Sequence, residues 1–158
     1  FAMTLAIIVG YFSLGIFTER ISQLFDIGPI TVGVFGMTLF LTAQFSMAYG
    51  WATSPLLLVV IFGFLGSSCI LTFAGLAQIF PKKYSGRVST ILNVQVFMGA
   101  FIIQWGIGAI IELWPTTEIG YDPASYQVAI GVLVLMQAAG LVWYLLSQQL
   151  IKKQPEMI

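Results

Sequence analysis

Histidine is absent from this chain, cysteine occurs once, and only six basic and six acidic residues are spread over 158 positions. Each scarcity excludes something. Without histidine there is no imidazole metal site and no imidazole base. With Cys69 alone, no intrachain disulfide can form. A net charge of zero offers no electrostatic footprint for nucleic acid. The shortage of charge is the most informative. Charged residues make up 8% of the chain, against about a quarter in an ordinary soluble domain. Twelve charges cannot cover the exterior of a water-soluble fold of this size.

What is present is oily. Apolar and aromatic residues account for 59% of the sequence, and the mean hydropathy is +0.98. A helix crosses the roughly 30 Å of bilayer hydrocarbon in about 20 apolar residues. Five stretches qualify, at about residues 1–18, 29–49, 55–80, 88–111 and 126–149. They read as helices, because they lack the short alternating segments of a membrane barrel and an open sheet in lipid would leave backbone groups unpaired. The expected fold class is therefore an all-α integral membrane protein with five transmembrane helices. Asp26 ahead of Pro29, Ser54 ahead of Pro55 and Asp122 ahead of Pro123 supply polar caps and first-turn prolines, and Pro81 closes the third span. The chain opens at Phe1, within an apolar run and with no basic leader. That layout is expected of a piece of a longer protein, not of a secretory signal.

The basic residues fix an orientation. Lys82, Lys83 and Arg87 crowd into the stretch PKKYSGR between spans three and four. Each cation costs about 2.5 to 3.5 kcal/mol at a helix centre, so the three together oppose burial by roughly 8 to 10 kcal/mol. That stretch is a turn outside the hydrocarbon. Arg20 after span one and Lys152 with Lys153 after span five are separated from it by even numbers of spans, so all six share one face. Glu112, Glu118 and Asp122 occupy the opposite face. Cytoplasmic loops favour Lys and Arg, which puts the N-terminus of the segment outside and its tail in the cytoplasm of a cell (inner or plasma) membrane. Trp51, Trp114, Tyr121 and Tyr126 near the outer ends, and Tyr84, Trp143 and Tyr144 near the inner ones, suit interfacial aromatics.

No charged residue lies near a span centre, so the segment shows no carboxylate of the kind that couples proton movement. Neutral polar residues remain: Gln44, Ser67, Ser68, Thr72, Gln78, Asn93, Gln95, Gln104 and Gln137. Their plainer role is bonding between helices. Ser67, Ser68, Thr72 and Gln104, near mid-depth, are candidates for a solute path, and Gln104 sits beside Trp105. Gly63, Gly66 and Gly75 in span three, with Gly99, Gly106 and Gly108 in span four, are candidates for close helix packing.

Residues 15 to 24, GIFTERISQL, follow a span on the basic side. They resemble the cytoplasmic loop signature G-x-x-x-D-R-x-G-R-K of the major facilitator superfamily. Gly15 and Arg20 match, Glu19 keeps the acidic charge, and Ser22, Gln23 and Leu24 depart from the glycine and two basic residues. The stretch FPKKYSGRVSTILNVQVFMGAFIIQWGIGAIIELW is similar to the eleventh-helix region of bacterial members. The resemblance covers the chain as helices eight to twelve, part of a six-helix half of a twelve-helix fold. It implies secondary active transport of a small solute by alternating access, with a coupling ion such as H+, the bilayer and the missing N-terminal portion as partners, and no cofactor. It further implies that Gly15, Glu19 and Arg20 belong to a cytoplasmic gate, that spans one, three and four carry the function, and that spans two and five are scaffold facing lipid. Two rivals stand beside it. One is a five-span structural or channel subunit. The other is a membrane-embedded enzyme, for which only Glu112, Glu118 and Asp122 could serve, and solvated loop acids are their ordinary state.

Overall fold

The computed structural model describes residues 1–50, 54–117 and 120–153. Trp51 and Glu118, assigned above to the outer side, lie outside the described residues, as do the side chains of Lys152 and Lys153. Six helices run in order: α1 (Ala2–Phe25), α2 (Pro29–Ala48), α3 (Pro55–Gly66), α4 (Ile70–Ile79), α5 (Ser85–Ile111) and α6 (Pro123–Lys153). Short 3-10 turns at Ser67–Cys69 and Lys82–Tyr84 precede α4 and α5. A two-stranded hairpin, β1 (Thr116–Thr117) with β2 (Gly120–Tyr121), leads into α6. Together they form five helical rods long and apolar enough to cross a membrane, the third made of α3 and α4 in series.

The boundaries follow local chemistry. Pro29, Pro55 and Pro123 each open a helix, where a missing N–H and a fixed φ do no harm. Ser54 accepts from the Leu57 amide, and Asp122 Oδ1 accepts from the Ala124 amide at 2.8 Å. Asp26 behaves otherwise than expected. Its φ of 55° makes it the left-handed C-cap of α1, its N–H donating to the Ser22 carbonyl. With no breaker before Gly28 and Pro29, α1 runs past Thr18 to Phe25. GIFTERISQL is therefore helical, and the connection shrinks to three residues.

The bundle is packed inside out relative to a soluble protein. Among the described residues the buried ones are mostly small or polar, Ala6, Ala43, Ala48 and Ala129 with Thr18, Gln44, Ser67, Ser68 and Ser125, and Leu71 is the one large aliphatic side chain among them. Large apolar side chains point outward, with Phe12 72%, Phe97 75%, Trp105 72% and Trp143 76% exposed. In water such a surface would drive aggregation. In lipid it costs nothing, and small residues at the contacts let backbones approach. Several hydroxyls on the rods are satisfied within their own helices, as where Ser13 donates to Val9 and Thr38 donates to Val34, but Thr18 Oγ1 is buried without a partner.

The packing hub is α2, expected above as scaffold. It touches α1, α3, α4 and α6 and buries Gly33, Gly36, Ala43, Gln44 and Ala48. The reason is steric, since its glycines and alanines form a surface that other helices can reach. By contrast α5 packs against α4 and α6 and has no buried residue.

Candidate functional site

The third rod tightens at mid-length while its backbone stays in the right-handed helical region. After Gly66, the residues Ser67, Ser68 and Cys69 tighten into a 3-10 turn before α4 resumes. Serine hydroxyls contribute to the change. Ser67 Oγ donates to the Phe64 carbonyl at 2.6 Å and Ser68 Oγ donates to the Leu65 carbonyl, an alternative to the regular helix ladder. A 3-10 stretch inside a helix marks a hinge or a strained segment.

This 3-10 turn is clamped from two sides. Gly10 of α1 sits against Ser67, and a Cβ there would lie 2.8 Å from the Phe64 carbonyl oxygen. Gly36 of α2 sits against Ser68, where a Cβ would lie 2.6 Å from Ser68 Cβ and 2.7 Å from its Oγ. Both serines are 1% exposed. Upstream, a Cβ added at Gly63 would lie 2.8 Å from the Met3 carbonyl oxygen and one at Gly66 3.2 Å from the Phe40 ring, which packs tilted on Phe62 with centroids 4.6 Å apart. Downstream, Gly75 receives Ile30. Gly10 and Gly36 were not singled out in the sequence. The spacing of Gly33 and Gly36, three apart on one helix, was the signal that could have found Gly36.

The four path candidates do not converge. Ser67 and Ser68 are enclosed by α1 and α2. Thr72, one turn beyond the 3-10 stretch, instead lines a cavity of about 300 Å3 between α2, α4 and α6. Gln137 of α6 lines the same cavity, and its Oε1 is buried without a partner. Gln104 is exposed on α5 and lines neither that cavity nor the smaller one, about 140 Å3, between α5 and α6. Gly106 borders the smaller cavity, and an added Cβ at Gly106 or Gly108 would meet nothing within 4 Å.

The polar ends are solvent-facing. Glu19 and Arg20 are exposed in α1, and Gly15 has open space around it. Lys82 and Lys83 form the exposed turn before α5, with Lys83 Nζ 4.9 Å from the Tyr84 ring centroid, and Arg87 is exposed in the first turn of α5. Among the described residues, no cluster of three His, Cys, Asp or Glu could hold a metal. Comparison of the chain with family models, with curated proteins and with solved structures finds no match.

Proposed function

We propose that this chain is part of a secondary transporter, the C-terminal portion of a major facilitator type of fold, moving a small solute by alternating access. The observation that carries the reading is the 3-10 stretch within the third rod. A 3-10 segment inside a helix often marks a functional hinge. Here it lies at Ser67–Cys69, between glycine contacts from two other helices, Gly10 of α1 and Gly36 of α2. Sliding contacts of that kind can have two settings without a large side chain changing rotamer.

The surface of α5 supplies further support. At about 100° per residue, Asn93 and Gln104 fall within ~20° of one another, and Ser89 lies on the same side. All three are exposed. An amide stripe turned to hydrocarbon is costly, so this face suits water or other helices. In the proposal it borders the solute path, and the basic ends of the rods lie in the cytoplasm.

The test is cysteine accessibility in a Cys69→Ser background. Single cysteines at Thr72, Asn93 and Gln104 are treated with a membrane-impermeant thiol reagent in right-side-out and in inverted vesicles. Alternating access predicts labelling of at least Asn93→Cys and Gln104→Cys from both sides, while a cysteine at Ile102, on the opposite side of α5, stays slow. Labelling from neither side refutes the transport reading and leaves a five-span structural subunit.

A further inference from the structure

The turn between the third rod and α5 holds three of the six basic residues of the chain, Lys82, Lys83 and Arg87, and all three are exposed. None of them pairs with a carboxylate among the described residues. Lys83 Nζ lies over the Tyr84 ring, a contact that orients the ammonium without neutralising it. Cations crowded this closely repel one another, and an anion placed among them relieves the repulsion.

The surface that runs on from Arg87 is apolar. At about 100° per residue, Ile91, Val94 and Met98 fall within ~40° of Arg87 on α5, and each is exposed. Half of the roughly 30 Å of hydrocarbon is spanned by about ten helical residues, so this strip reaches from the charged end to the middle of a bilayer. It is a different side of α5 from those described above. Asn93 and Gln104 lie ~100° to 120° around the helix in one sense, and the α5 residues bordering the cavity with α6 centre ~130° away in the other.

We infer that this corner of the molecule binds an anionic phospholipid, its phosphate among Lys82, Lys83 and Arg87 and an acyl chain along Ile91, Val94 and Met98. Charge complementarity sets the class, as it does for basic clusters beside membrane-spanning helices in general. A zwitterionic headgroup would bring a cation of its own to a place that already holds three. A free phosphate has the charge but nothing to lay along the strip. Tyr84, exposed beside the cations, is an aromatic of the kind that sits at headgroup level. The inference rests on the rods spanning a bilayer and not on transport, so failure of the cysteine-labelling test leaves it standing.

Photolabelling tests it. The full chain is reconstituted into phosphatidylcholine vesicles holding a trace of phosphatidylglycerol with a diazirine midway along one acyl chain, and the labelled residues are mapped. Both leaflets carry the probe, so the direction of insertion does not enter. The expected result is label concentrated at Ile91, Val94 and Met98, in excess over a phosphatidylcholine probe of the same chain and undisturbed by glycerol phosphate in the water. Each cation near an anionic headgroup is worth roughly fivefold, so the excess approaches about a hundredfold for the three. Lys83→Gln and Arg87→Gln should each lower it about fivefold, and replacing all three cations by glutamine should abolish it. Arg20→Gln, which removes an exposed cation of α1, should leave it unchanged. The single variants carry the test if the triple one fails to fold by circular dichroism. Equal labelling by the two probes, label absent from the strip or spread evenly over the outward faces of all the rods, displacement by glycerol phosphate, an equal loss in Arg20→Gln, or an excess that survives in the folded triple variant each overturns the inference.

Discussion

Replacing Gly36 by alanine should be far more damaging than the same exchange at Gly140, although both sit inside apolar helices. At Gly36 the new methyl would lie 2.6 Å from Ser68 Cβ and 2.7 Å from its Oγ, closer than carbon atoms tolerate, and the obstructing Cβ is fixed to the backbone of the 3-10 turn. The helices must part or the turn must shift. Overpacking of this kind costs about 1 to 3 kcal/mol, a loss of roughly 5- to 150-fold in the folded ratio at 1.4 kcal/mol per tenfold. At Gly140 nothing lies within 4 Å of the added methyl, and the better helix propensity of alanine, up to about 1 kcal/mol, favours the variant. The assay is unfolding in mixed micelles, with helix content followed by circular dichroism as denaturing detergent is titrated. A second pair sharpens it. Ser68→Gly removes both obstructing atoms and should recover most of the loss in the Gly36→Ala background, whereas Ser68→Ala keeps the Cβ and should recover little, a coupling that a double-mutant cycle isolates. Equal stability of Gly36→Ala and Gly140→Ala, or equal rescue by the two serine variants, would refute the clamp.

Two further expectations use the same measurement. Asp122→Ala removes the side-chain acceptor of the Ala124 amide and should cost about 0.5 to 2 kcal/mol, while Asp122→Asn should keep most of it; indistinguishable variants would mean the cap is idle. Thr18 is buried with an unpaired Oγ1, so Thr18→Val, close to it in shape, should be neutral or stabilising by up to about 1 to 3 kcal/mol. A clear loss of stability would show that the hydroxyl has a partner in the membrane-embedded protein.

The inner surface of the bundle explains why its architecture was only partly legible. Ser67 and Ser68 drew attention as polar residues in an apolar run, yet nothing local distinguished a pair enclosed by Gly10 and Gly36 from one facing a path. Thr72 and Gln104 carried the same signal, and the fold sends one to a cavity shared with Gln137 and leaves the other on the surface of α5. Resemblance to a cytoplasmic loop signature placed GIFTERISQL, with Glu19 and Arg20, outside a helix. Both are good helix formers, and the helix continues until Asp26 turns left-handed.

The five apolar rods and their proline-marked starts were determined by the sequence alone. Transfer into lipid is a sum over residues along the chain, and it needs no knowledge of neighbours. Which faces meet was decided only in three dimensions. These rods are apolar nearly all round, so no stripe announces the buried side. The choice of α2 as hub and the clamp on the third rod rest instead on missing side chains at Gly10, Gly33 and Gly36, and an absence acquires meaning only when another helix lies against it.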